Sequence, residues 1–356
     1  MSVAGPVVPT KEDGEVDQER LVAMLAEWGQ KGGMLRLIGK IALLWGGIRG
    51  AMSLTDRLIL FLRIAERPLF QRILGFVCMV LVLWSPVVVP FLPTLVQSRL
   101  THTSNKIAEL ACIIGLYTSL MILVMKWGRR IRGYENPLEQ YGLDFTSLPK
   151  IQSFLKGLTG GVMLVLAVHS VNALLGFVRL TWPSSLSASS LDAVMWLKVY
   201  GQMLILIGRG LVTATGVALV EELIFRSWLP DEISVELGYH RGIIISGLAF
   251  SLFERSLWAI PGLWLLSLCL AGARQIGQGS LSLPIGLRAG IVASSFILQM
   301  GGFLTYQSNF PQWVTGTHPF QPFSGATGLT FSLLLAIVLY PRQPLHQNKK
   351  TRTIRE

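Results

Sequence analysis

A chain of 356 residues that is 51% hydrophobic and only 14% charged, with a mean hydropathy of +0.53, is too apolar for an ordinary water-soluble domain. Its net charge of +11 does not argue for nucleic acid, because Lys and Arg gather beside apolar runs and form no stripe with interleaved aromatics. The three cysteines, Cys78, Cys112 and Cys269, lie far apart in apolar segments without metal-ligand spacing, so the pattern predicts buried thiols and neither a disulfide framework, a metal site nor a cofactor.

In chain order, residues 1–20 are polar, acidic and spotted with Gly and Pro, and predict a disordered tail and not a cleaved signal. Residues 21–72 mix Leu, Ile, Trp and Phe with Lys and Arg at mostly helical intervals over 21–50 and 53–66. They predict two amphipathic helices lying in a membrane interface. A hydrocarbon core of about 30 Å needs about 20 apolar helical residues, and eight segments approach that length. They fall near 73–97, 107–126, 157–178, 196–218, 242–259, 261–278, 284–303 and 325–341. The expected fold is therefore all-α, a polytopic membrane protein of about eight transmembrane helices. Its parts are an amphipathic region 21–72, a two-span portion 73–136, a membrane domain 137–341 and a basic tail 342–356. With both termini on one side, 25 of the 31 Lys and Arg face the same compartment, which the positive-inside rule makes the cytoplasm or stroma. The long loop near 304–324 has no charged residue but holds Phe310, Trp313, Phe320 and Phe323, and predicts a segment on the outer interface able to act as a lid.

An ionisable residue within a span costs about 2.5–3.5 kcal/mol on insertion scales, so several together need partners. The fourth span runs into Glu221-Glu222-Leu-Ile-Phe-Arg226. Glu222 and Arg226 are four apart on one helix face, with the acid on the side that favours pairing, while Glu221 points about 100° away. One carboxylate can then be salt-bridged and the other free to carry a proton or hold a water. The same residues also suit a helix end reaching the inner interface, where they are simply solvated. Elsewhere, His169 predicts a hydrogen-bonded core histidine, and Arg209 marks a helix junction or a water-filled cavity. The face Arg288, Val292, Ser295 and Gln299 suits either a polar groove or helix-packing glue.

The Glu221-Glu222-x-x-x-Arg226 run resembles the first motif of the CAAX-protease and bacteriocin-processing (CPBP) family of intramembrane proteases. That family's second motif, F-x-x-x-H, aligns with Phe250-Ser-Leu-Phe-Glu254, and its third, H-x-x-x-N or H-x-x-x-D, with Arg288 and Val292 in LPIGLRAGIVASS. The resemblance implies an all-α intramembrane fold over roughly 137–341 in which glutamate activates water, with His and Asn supporting the second carboxylate and the oxyanion. Here Glu254 and Arg288 replace both motif histidines and Val292 replaces the Asn; only the first motif is intact. The implied site is Glu221, Glu222, Arg226, Glu254 and Arg288, with Glu254 and Arg288 expected to form an ion pair across the fifth and seventh spans.

Two function classes follow. One is a glutamate-dependent endopeptidase, weak or inactive, acting on a membrane-associated, prenylated or lipid-like substrate. The other is a membrane scaffold or chaperone that uses the same helix cavity to hold a membrane protein, lipid or pigment. A transporter lacks support, because no inverted repeat is visible. Stretches such as ENPLEQYGLDFTS and HPFQPFSG are similar to plant-plastid and cyanobacterial members, which implies a chloroplast or cyanobacterial membrane.

Overall fold

The computed structural model describes residues 33–100, 106–181, 193–254, 256–306, 311–316 and 321–342. The helices run α1 (Gly33–Phe61), α2 (Leu69–Leu100), α3 (Lys106–Arg130), the short α4 (Pro137–Gln140), α5 (Leu148–Leu174) and α6 (Ala193–Glu222). A π-helical stretch, Leu223–Trp228, joins α6 to α7 (Leu229–Leu237), and α8 (Tyr239–Phe253), α9 (Ile260–Ile276), α10 (Ser282–Met300), the short α11 (Gln312–Thr315) and α12 (Ala326–Leu339) follow. Two three-residue strands, β1 (Val178–Leu180) and β2 (Leu304–Tyr306), pair antiparallel beyond the ends of α5 and α10.

Each of the eight segments expected to span a membrane contains a helix. Six described stretches are long and apolar enough to cross one: Leu69–Ser98, Lys106–Arg130, Leu148–Leu174, Trp196–Leu237, Leu257–Ile276 and Ser282–Met300, with Ala326–Leu339 a shorter apolar helix. The fifth expected span is α8, of only 15 residues. At 1.5 Å per residue it covers about 22 Å, less than a full hydrocarbon core. The two amphipathic helices expected ahead of the first span are not separate where the chain is described: α1 runs unbroken from Gly33 to Phe61, across the expected break, because nothing near Met52 stops a helix. Residues 21–32 lie outside the described residues.

The chain divides into two compact units, Met1–Arg67 with Gln71–Ser119, and Pro68–Phe70 with Leu120–Glu356. In the first, Trp84 Nε1 on α2 donates to Cys112 O on α3 at 2.8 Å. Pro86, Pro90 and Pro93 sit inside α2. Pro86 has no N–H to offer the carbonyl of Val82, and the hydroxyl of Ser85 donates there instead at 2.8 Å, which is how a transmembrane helix tolerates proline.

In the second unit α5 and α10 are the most closely packed pair. A Cβ on Gly157 would strike the backbone of Leu283, Gly286 and Leu287, and one on Gly161 that of Leu287, Gly290 and Ile291; Gly286 and Gly290 meet Phe154, Leu158 and Gly161 in the same way. Glycine at four-residue intervals on both helices brings backbone onto backbone, the mode available where lipid removes the hydrophobic drive for association. On its other side α10 packs against α6, and α9 packs against α8 and α12. The loop near 304–324 departs from expectation: Phe323 is buried, with its carbonyl against Gly262 of α9, so it belongs to the packed interior and not to the interface. Trp313 is exposed, and Phe310 and Phe320 lie outside the described residues.

Candidate active site

The two adjacent carboxylates sit at the last turn of α6, where the helix widens. A π-helical turn admits an extra residue and is frequently found at functional positions. Glu221, Glu222 and Arg226 are all buried there. Glu222 Oε2 lies 3.4 Å from Arg226 Nε, the expected i,i+4 ion pair. Neither oxygen of Glu222 and none of the three guanidinium nitrogens of Arg226 has a hydrogen-bond partner among the described residues. The pair is held by charge and by the Phe250 ring, whose centroid is 4.2 Å from the Arg226 guanidinium carbon.

Glu221 is not the free carboxylate that its position on the helix suggested. Arg288, on α10, donates Nε to Glu221 Oε2 at 3.0 Å and Nη2 to Glu254 Oε1. Glu254 follows the last residue of α8, and its side chain is 23% exposed against 7% for Arg288 and 5% for Glu221. The expected Glu254–Arg288 pair is therefore present and extends to a third member. The Arg288 guanidinium also lies 5.0 Å from the Phe250 centroid, so one ring carries both cations of the cluster. Three carboxylates face two guanidiniums, and one guanidinium serves two of them.

A second set of residues supports the π-helical turn from behind. Arg274, at the end of α9, donates Nη1 to the carbonyl of Arg226 and Nη2 to Ser227 Oγ at 3.0 Å, with Nη1 3.6 Å from Asp231 Oδ1. Ser227 Oγ donates to Tyr141 O at 2.7 Å. Glu232 Oε1 accepts from Trp127 Nε1 at 3.1 Å and from Arg132 Nε at 2.9 Å. Sequence reasoning missed this set; the only signal was a cation in the last turn of an otherwise apolar helix, where it can satisfy carbonyls. In the loop before α5, the Asp144 carboxyl is held well below its usual range by the ammonium of Lys150, in the first turn of α5, with help from the Thr146 hydroxyl and amide.

Other expectations resolve individually. Ser295 Oγ donates to its own helix at Ile291 O, 2.8 Å away, as packing glue does, whereas Gln299 Oε1 has no hydrogen-bond partner among the described residues. His169 is buried as expected, but neither ring nitrogen has a hydrogen-bond partner among the described residues. Arg209 is exposed. An apolar cavity of about 160 Å³ lies between α5, α6 and α10, lined by Val162, Leu166, Leu211, Ala293, Ser294 and Ile297. On α10 it begins five residues beyond Arg288, about 7 Å along the helix.

A carboxylate with unused acceptor capacity beside a buried guanidinium is the equipment for polarising a water against a carbonyl. Residues 203–294 match the family model described as type II CAAX prenyl endopeptidase, Rce1-like, a stretch that contains Glu221, Glu222, Arg226, Glu254 and Arg288. No curated protein and no solved structure matches the chain.

Proposed function

We propose that this CAAX-protease-like membrane protein has the glutamate site of an intramembrane endopeptidase but turns over weakly or not at all. The observation that carries the reading is the double engagement of Arg288, with Nε on Glu221 and Nη2 on Glu254. A donor already committed to two carboxylates is not aimed at a developing oxyanion, and a missing oxyanion donor costs about 10²–10³ in rate. Glu221 is likewise held by an ion pair, and Val292 offers no donor at all. Glu222, backed by Arg226, remains the carboxylate equipped to hold a water. The expected substrate is a membrane-associated protein with a prenyl or similar lipid tail.

A second reading, a scaffold that holds a membrane protein, lipid or pigment, is favoured by the apolar cavity between α5, α6 and α10 close to the charged cluster. Comparative proteomics of membranes carrying the wild type or Glu222→Ala separates the two. Peptides lost in Glu222→Ala support residual proteolysis, and identical peptide populations with altered partner levels support the scaffold.

We also propose a plastid or cyanobacterial membrane, with both termini and the Glu221–Arg226 segment on the stromal or cytoplasmic side. The support is the resemblance of the loop sequences and the 25 of 31 basic residues on that side. Tags at Met1 and Glu356 are expected to be protease-accessible from the same compartment; opposite accessibility overturns the orientation.

A further inference from the structure

The polar residues of the site face inward, but one cation in the same helix does not. Arg209 lies on the outward face of α6 and has no hydrogen bond or ion pair among the described residues. Trp196 and Tyr200, stacked with centroids 5.1 Å apart, mark one interface in the manner of an aromatic belt. Nine residues on from Tyr200, Arg209 stands about 14 Å deeper along the helix. That is half of a hydrocarbon core of about 30 Å, too deep for the guanidinium to reach either headgroup layer. The glycines on this side are open as well: a Cβ on Gly208 or Gly216 would meet no atom among the described residues. Gln202, Ile205, Gly208, Arg209, Val212 and Gly216 form one exposed stripe, opposite the packed face of Gly210, Ala214 and Ala218. Small residues that no contact among the described residues requires, beside a polar one, are what a second helix needs for close backbone approach.

We propose that this stripe of α6 docks a transmembrane helix of another protein that carries an Asp or Glu at mid-depth, paired with Arg209. Charge complementarity selects that partner. Among the described long helices a second copy of this chain offers no such acid, because Glu221 and Glu254 are engaged by Arg288, Glu222 is buried beside Arg226, Asp231 and Glu232 are engaged by Arg274 and Arg132, Asp56 and Glu236 already have partners, and Glu109 lies in the first turn of α3, near a helix end. The proposal goes beyond the proteolytic and scaffold readings and depends on neither.

The test uses the full chain in phosphatidylcholine vesicles and a labelled poly-leucine transmembrane peptide with one central Glu, with a central Gln as control. Energy transfer is expected to report about tenfold tighter association of the Glu peptide. Arg209→Gln is expected to abolish that preference, Arg209→Lys to keep it, and Gly216→Leu to weaken association of both peptides. Equal association of the two peptides with the wild type, or a preference that survives Arg209→Gln, overturns the proposal. In native membranes a photo-crosslinker at Val212 is expected to trap a transmembrane segment with a mid-depth Asp or Glu. Adducts only to lipid, to this chain or to an acid-free segment overturn it.

Discussion

The Arg226 guanidinium carbon stands 4.2 Å from the centroid of the Phe250 ring, and on this contact the ion pair with Glu222 rests. Because the same ring also supports Arg288, Phe250→Leu removes two desolvated cation–π contacts at once. The expected loss is about 2–4 kcal/mol, more than packing volume alone explains. Phe250→Tyr keeps the π face, and Phe225→Leu, at the neighbouring ring, touches neither cation–π contact. Melting temperatures in detergent are expected to fall for Phe250→Leu by more than for either comparison.

Arg288 holds two carboxylates, so its removal takes an ion pair from two acids at once, whereas removal of Glu254 leaves Arg288 still paired with Glu221. Breaking a buried pair typically costs about 3–5 kcal/mol. Arg288→Gln is expected to reach that range and Glu254→Gln to stay below it, since Glu254 is partly exposed. The Glu254→Gln/Arg288→Gln double variant is expected to recover part of the loss, and adding Glu221→Gln to recover more. Purely additive shifts in melting temperature sink the three-membered cluster as a stabilising unit.

If committed donors suppress turnover, restoring the family's pattern should release it. The combined variant Glu254→His, Arg288→His, Val292→Asn is expected to cleave a prenylated peptide about 10²-fold faster than the wild type. Each single change is expected to gain nothing: Arg288→His takes the arginine from two carboxylates, Glu254→His leaves Arg288 on Glu221, and Val292→Asn leaves Arg288 committed to both acids. Mass spectrometry of the peptide in detergent reads the outcome, and adding Glu222→Ala is expected to abolish the gain.

Asp144 titrates below the ordinary carboxyl range because of the Lys150 ammonium beside it. A carboxylate with a depressed folded value contributes stability that is full above its unfolded value of about 3.9 and is lost as pH falls through the folded value. Asp144→Asn is thus expected to lower the melting temperature slightly at neutral pH. The gap to the wild type should close as the pH is taken below about 3.9. A gap that widens with acid contradicts the assignment.

The membrane class and all eight apolar helices were legible because hydropathy is a local property that survives any tertiary arrangement. Glu222 with Arg226 was legible for the same reason, since four residues along a helix always face alike. The state of Glu221 was not: what occupies it is Arg288, from a helix 67 residues away, and periodicity within α6 carries no information about that neighbour. The opposite charges at the two expected histidine positions did point to Glu254 with Arg288, because an unpaired charge at that depth is costly. Arg274 escaped notice because it holds a backbone carbonyl of the π-helical turn, and the turn itself has no sequence signature. Phe323 was misjudged because the residue that makes room for it, Gly262, lies on another helix.

The glycine contact between α5 and α10 has a mechanical consequence for the charged cluster. With Gly157 and Gly161 seated directly on the backbone of residues 283–291, these two helices have no side-chain layer between them to slip or tilt across. They behave as a single post, and Arg288 is fixed to it. Glu221 and Glu254 reach Arg288 from α6 and from the end of α8, both outside that post. Any opening wide enough to admit a peptide therefore swings α6 or α8 away from a stationary arginine, and the Glu221 and Glu254 contacts are the latch that such a movement must release.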